Sequence, residues 1–208
     1  QLNLNSFAVP FTLMCVLLLI NAFNYFDGMD GTLSLSSIST LTILYFLVPS
    51  ENIKLLIMTI ILPIFIFLIF NFSLFNLPKL FLGDSGSLLL GFIISFILID
   101  IANQKLVHPI LLAWSIAIFV YEFLAINLQR LKNKKNLFTA GLDHLHHIIF
   151  KKTKSIFLTN FSISTTNIIF FIVGYLSFRF INPLTSLILF IIFFIIFILL
   201  RQKLLNYK

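Results

Sequence analysis

The chain has 208 residues, of which 60% are hydrophobic and 10% charged, with a formal net charge of +7 and a mean hydropathy of +1.08. That balance excludes a water-soluble domain, whose core would not hide so much apolar surface, whereas a bilayer accepts it without penalty. It also removes nucleic acid as the partner for the positive charge, since no soluble segment is left to carry a binding face.

A span needs about 20 apolar residues to cross a hydrocarbon core of about 30 Å. In chain order seven segments qualify: Phe7 to Phe26, Leu33 to Val48, Lys54 to Phe72, Ser87 to Ile101, Pro109 to Leu128, Leu158 to Arg179 and Leu184 to Leu200. Gly28 and Gly31, Pro49, Pro78, Gly83 and Gly86, Pro109, and Asn182 with Pro183 punctuate most of the gaps. The expected fold is an all-α, polytopic transmembrane helical bundle of about seven spans, forming a single integral-membrane domain. The chain opens at Gln1 with no basic n-region, so no signal peptide is predicted, and it is expected to begin inside a longer protein. Cys15, the single cysteine, lies in an apolar run and is read as packing.

Seven alternating helices leave one choice of orientation, and lysine and arginine decide it. Lys79, Arg130, Lys132, Lys134, Lys135, Lys151, Lys152, Lys154, Arg201, Lys203 and Lys208 fall on one side, and Lys54, Lys105 and Arg179 on the other. Eleven against three places the first set in the cytoplasm and the N-terminus outside.

Against this apolar background the polar residues stand out, because an ionised side chain costs about 2.5 to 3.5 kcal/mol at the centre of a membrane helix. Asn21, Asn24, Asp27 and Asp30 recur every three residues in NAFNYFDGMDG, at the cytoplasmic end of the first span. On a helix that step keeps successive side chains within about 60° of one another, so Asn21, Asn24 and Asp27 should form a polar stripe pointing into a cleft. A plainer explanation is a polar helix exit with Asp-Gly turns, but the stripe reaches a full turn back into the span.

In KLFLGDSGSLLLGF, Asp84 stands between Gly83 and Ser85 just before the fourth span. A carboxylate among small residues at a helix N-terminus suits a hard cation with phosphate oxygens beside it, which makes Asp84 the first choice for a magnesium ligand. An ordinary N-cap is the competing role. GLDHLHHIIF places Asp143, His144, His146 and His147 within five residues of the longest basic loop. Imidazoles, neutral or cationic, beside Arg130 and the lysines make an anion-gripping surface, while the spacing lacks the ligand set of a closed zinc site. Arg130 is equally readable as a topology anchor. Glu122 is read as lining the polar cleft, with snorkelling to the interface as the alternative, and Asp100 as structural. Trp114 and the phenylalanine-rich last span are read as lipid-facing or packing.

NAFNYFDGMDG, FLGDSGS followed by Gly91, and DHLHH before a basic stretch resemble, in order and spacing, the polyprenyl-phosphate N-acetylhexosamine-1-phosphate transferases of glycosyltransferase family 4. The HLHH form resembles the branch using UDP-GlcNAc or a related UDP-N-acetylhexosamine. The resemblance implies a catalytic set of Asp27, Asp30 and Asp84, with Asp84 holding Mg²⁺ or Mn²⁺. It implies substrate contacts from Asn21, Asn24, Arg130, His144, His146 and His147. It further implies a cytoplasmic-facing cleft in the bacterial inner membrane, a polyprenyl (undecaprenyl) phosphate acceptor, UMP as product, a role in starting O-antigen or other cell-envelope glycans, and compatibility with a homodimer. The family's pair of adjacent aspartates in an earlier cytoplasmic loop has no counterpart here, which fits the expected start inside a longer protein. Gly141-Leu142 and Leu137-Phe138 stand where the family often has Asp-Arg and Pro-Phe, and Glu122 where an aspartate is usual.

Two other functions compete. A non-catalytic relative or fragment would keep the cleft and bind UDP-sugar or lipid phosphate without turnover. A solute transporter would place its acidic residues near the midplane and on both sides, whereas this chain gathers them at one face.

Overall fold

The computed structural model describes residues 5–134, 136, 141 and 143–206. Gln1, Lys135, Leu137, Phe138, Leu142 and Lys208, on which parts of the sequence reading fall, lie outside the described residues. Among those described there are nine α-helices and two short 3₁₀ turns. The helices are α1 (Ala8–Phe26), α2 (Thr32–Leu47), α3 (Glu51–Asn71), α4 (Gly83–Asn103), α5 (Pro109–Ser115), α6 (Ala117–Lys132), α7 (Leu145–Thr153), α8 (Ile156–Phe180) and α9 (Pro183–Asn206).

The all-helical class is as expected, but the span count needs correction. Five helices, α1, α3, α4, α8 and α9, are long and apolar enough to cross a membrane, and α5 with α6 make a sixth span bent by 72°. The segment read as a second full span, α2, has only 16 residues, about 24 Å of helix.

The helix tolerates being short because protein rather than lipid surrounds it. Ser34, Ser36, Ser37, Ser39 and Thr40 are all buried, and such small hydroxylated residues allow close helix packing in an apolar medium. The break between α5 and α6 occurs at Ile116, without glycine or proline. Its cost is met by neighbours, since the Ser115 carbonyl accepts hydrogen bonds from Thr40 Oγ1 (3.0 Å) and Asn167 Nδ2 (3.3 Å). A broken membrane helix is tolerated where its freed backbone groups are satisfied in this way.

Hydrogen bonds at the helix ends show which ends of the helices lie together. At one end the Gly31 N–H donates to Asn71 Oδ1 at the end of α3, Asn24 near the end of α1 meets Ser87 at the start of α4, and Arg201 near the end of α9 meets Glu122 on α6. Near the other end Trp114 of α5 donates to Ser186 at the start of α9. All three sequence motifs therefore belong to the same end. Within the bundle, α1 packs tightly on α4: a side chain at Gly91 would come within 3.0 Å of the Ile20 backbone.

Trp114 is fully buried, and its ring meets Phe190 and Phe193 edge-on. The last helix thus turns phenylalanines inward while Leu184, Ile188, Ile191, Ile195 and Leu199 stay on the outer surface, where lipid would cover them.

Candidate functional site

At the motif end, a cavity of about 270 Å³ is lined by Asp27, Gly28, Asp30, Asn71, Gly83 and Asp84, among others. Two loops form its walls, and one buried amide ties them together. Asn71 accepts from the Gly31 N–H (2.7 Å) through Oδ1 and donates from Nδ2 to the Leu80 carbonyl (2.9 Å). Asn160 of α8 braces the same turn by donating to the Asp30 carbonyl (2.8 Å) and accepting from Thr32 Oγ1 (2.7 Å).

The NAFNYFDGMDG stripe divides along its length. Asp27, the C-cap of α1, lines the cavity. Asn24 Oδ1 accepts from Ser87 Oγ at 2.7 Å and so links the first motif to the second. Asn21 departs from the expected cleft-facing position: it is exposed, and its amide is turned back to the Leu17 carbonyl of its own helix. Asp30 forms an ion pair with Lys79 Nζ (2.6 Å), which sets a lysine at the rim of the cavity.

Asp84 lies in the first turn of α4, a helix that begins four residues earlier than the sequence reading placed it, at Gly83. The N-cap is Leu82, so capping does not account for Asp84, which is exposed at the cavity. Asp27 is held above the usual carboxylate range, first by burial and then by the negative charge of Asp84. Two carboxylates repelling one another across a polar cavity are a chemically suitable donor pair for a hard cation. Among the described residues no cluster of three or more His, Cys, Asp or Glu is arranged to hold a metal unaided. A pair of carboxylates nonetheless fits magnesium, which commonly takes one or two protein ligands and completes its shell with water and phosphate oxygens.

The histidines do not line the cavity themselves but pack behind Gly28, which does. His146 is buried, and its Nε2 lies so close over Gly28 that a Cβ there would stand 2.3 Å from it. Only glycine leaves room for that ring, so the first and third motifs are fitted to one another. His144 and His146 are parallel, with interplanar angle 2° and centroids 5.6 Å apart, and His146 and His147 are 4.2 Å apart. Burial pushes His144 down to about 4 and His146 to about 3, and lowers His147 as well. Of the two charge states the sequence leaves open, burial favours neutral rings at His144 and His146, which serve an anion as N–H donors rather than as charges.

Arg130 is buried and grips Asp143 through two nitrogens, Nη2 to Oδ1 at 3.0 Å and Nε to Oδ2 at 3.3 Å. Burial alone would raise the Asp143 carboxyl, but the Arg130 guanidinium holds it below its ordinary value. Tyr25 stands under this pair, its ring 5.7 Å from the guanidinium and 5.0 Å from His144. Glu122 does not line the cavity as the sequence reading had it. It is buried in an ion pair with Arg201 of α9, at 2.9 Å.

The structure brings the two acidic motifs and the histidines to one end, and adds Asn71, Asn160, Ser87 and Lys79, which the sequence reading does not single out. Asn71 and Asn160 carried the same signal as the aspartates, a polar side chain in an apolar helix.

Taken together, these features define an integral membrane protein with an acidic cavity, and a cluster of buried imidazoles behind Gly28, at one end of a helical bundle; the cavity's carboxylates suit a cation. Residues 1–102 match the model of the family described as Glycosyl transferase family 4. The chain is 32% identical over 157 residues to the undecaprenyl-phosphate alpha-N-acetylglucosaminyl 1-phosphate transferase of Yersinia pestis and 29% identical over the same length to that of Escherichia coli strain K12. Each alignment covers 73% of this chain and 43% of the relative. A probable undecaprenyl-phosphate N-acetylglucosaminyl 1-phosphate transferase of Bacillus subtilis strain 168 is 30% identical over 155 residues, 71% of this chain and 42% of the relative. No solved structure matches the chain. Residues 1–102 belong to glycosyl transferase family 4, and the chain spans less than half the length of the curated relatives it matches.

Proposed function

We propose that this chain carries the donor and metal site of an enzyme that transfers N-acetylhexosamine 1-phosphate from a UDP-sugar to a polyprenyl phosphate. The reaction takes place at the cytoplasmic face of the bacterial inner membrane and starts a lipid-linked cell-envelope glycan. The observation that carries the proposal is the convergence of Asp27, Asp84 and His146 on one end of the bundle, from motifs more than fifty residues apart in sequence. The names of the relatives agree with it, and the excess of lysine and arginine on the motif side supports the orientation.

An oxygen of the lipid phosphate attacks the β-phosphorus of the donor. The new P–O bond joins lipid phosphate to sugar phosphate, the bond between the β-phosphorus and the bridging oxygen breaks, and UMP leaves with that oxygen. Asp84, with Asp27 beside it, would hold Mg²⁺, which neutralises charge on the diphosphate. His144 and His146 offer N–H donors to phosphate oxygens from a desolvated cluster behind Gly28, and Lys79 adds a cation at the rim. Asp30 orients Lys79, while Asn24 keeps α4 in register with α1. A site at the membrane boundary is required because a soluble donor must meet a lipid-anchored acceptor.

The test uses the full-length open reading frame in membranes, with uridine-labelled UDP-GlcNAc and undecaprenyl phosphate. UMP release that needs Mg²⁺, stops with EDTA and is lost in Asp84→Asn is the expected result. No release with any of several UDP-N-acetylhexosamines, from a well-inserted protein, would overturn the reading in favour of a binding-only relative.

A further inference from the structure

The buried pair of Glu122 and Arg201 lies outside the cavity, and the chemistry above makes no use of it. Both side chains are almost inaccessible, at 1% and 2% exposure. An ion pair so deep in a bundle is weak support for stability, because apolar residues of similar volume commonly replace such pairs without loss. Its other hydrogen bonds indicate what the pair does. Glu122 binds Arg201 Nε with one oxygen and with the other accepts from the Leu145 N–H at 2.7 Å. Arg201 donates in addition to Gln129 Oε1 and to the Asp143 carbonyl.

The two peptide groups on either side of His144 are therefore both held by this pair. His144 is the N-cap of α7, with extended backbone (φ −71°, ψ 150°). The Leu145 N–H is one of the first-turn donors that a helix cannot satisfy internally. Glu122 supplies the missing acceptor, and Arg201 fixes the carbonyl one peptide earlier. This leaves the His144 backbone little freedom, and His146 follows one half-turn along.

We propose that Arg201, acting with Glu122, is a positioning residue of the histidine cluster: the end of the last helix sets where His144 and His146 stand relative to Gly28 and the acidic cavity it lines. The proposal deepens the transferase reading and rests on it for its kinetic consequences, while its structural claim stands separately.

The deciding variant is the double substitution Glu122→Leu/Arg201→Leu in the full-length protein, which removes both charges and leaves neither unpaired. Two quantities are read on folded, detergent-purified protein: kcat and KM for UDP-GlcNAc, and the rate at which diethyl pyrocarbonate modifies His146, measured by mass spectrometry. Loosening the cluster should lower kcat by about 100-fold, as misplacement of about an ångström does, with KM changed much less. Labelling of His146 should rise several-fold. Arg201→Lys, which keeps the charge but loses the planar fork that spans three acceptors, should fold and recover only part of kcat. A pair that merely staples helices would leave kcat per folded molecule untouched. His146 labelling at the wild-type rate in the folded double variant overturns the proposal, whatever happens to turnover, and so does Arg201→Lys with full kcat. If the unmodified protein releases no UMP, the transferase reading fails and the labelling comparison still decides the positioning role.

Discussion

The bundle holds two polar regions, and they are built in opposite ways. Midway along α2, Asn167 of α8 donates to Ser39 Oγ (3.1 Å), Thr40 Oγ1 (3.2 Å) and the Ser115 carbonyl (3.3 Å), all of them buried. That seam directs the Asn167 amide nitrogen to its own helices and repairs the broken α5–α6 span, while Asn167 Oδ1 and Ser36 Oγ stay buried with no partner among the described residues. At the motif end, Asp84 is exposed at a cavity, Asp27 faces its charge, and the buried His144 Nδ1 and His146 Nε2 have no hydrogen-bond partner among the described residues. Polarity inside a membrane protein is thus not by itself a sign of function. The distinguishing feature is whether polar side chains face other helices or, like Asp27 and Asp84, line a cavity.

The comparison breaks most visibly at Asp84. Asp84→Asn should lower UMP release at least about 100-fold, the scale of losing one key electrostatic contact, without moving the thermal unfolding midpoint, because its carboxylate caps nothing. Gly28→Ala comes next. The added methyl would meet His146 Nε2, so turnover should fall about 10- to 100-fold through displacement of the ring, with a smaller effect on unfolding temperature.

The opposite pattern is expected at the seam. Asn167→Leu should cost about 1–2 kcal/mol, the range of interhelical hydrogen bonds in membranes, and so lower the unfolding midpoint by a few degrees. Turnover per folded molecule should hold.

The gentlest perturbation is pH. His144 and His146 have folded values of about 4 and about 3, below the ordinary 6.5 that applies once the chain unfolds. Below 6.5 the unfolded chain takes up protons that the folded chain refuses, so stability should decline as pH falls from 6.5 towards 4 and be fully present above it. Turnover should show no inflection near 6.5 from these rings, and a pH–rate profile beside thermal melts at each pH separates the two effects.

Much of this arrangement was legible before any coordinates. Apolar runs placed the helices to within a few residues, and the lysine and arginine asymmetry put the three motifs at one end, where the structure has them. Local pattern failed where the deciding interaction was long-range. The length of α2 is tolerated because of hydroxyl contacts with α5 and α8, and no hydropathy window registers those partners. The break at Ile116 lacks glycine and proline and depends on Asn167, 51 residues later in the chain. Arg201 entered only as one more positive charge near a boundary, because its partner Glu122 is 79 residues away. Asn21 satisfied the three-residue spacing yet faces outward, since spacing fixes which residues share a helix face but not which neighbour covers it.

The most direct measurement sets the two regions side by side: UMP release and thermal unfolding, on one preparation each of full-length Asp84→Asn and Asn167→Leu. The account predicts a crossed result, with Asp84→Asn folded and inactive, and Asn167→Leu less stable but active per folded molecule. Turnover retained in Asp84→Asn, or lost in Asn167→Leu with an unchanged melt, would contradict it.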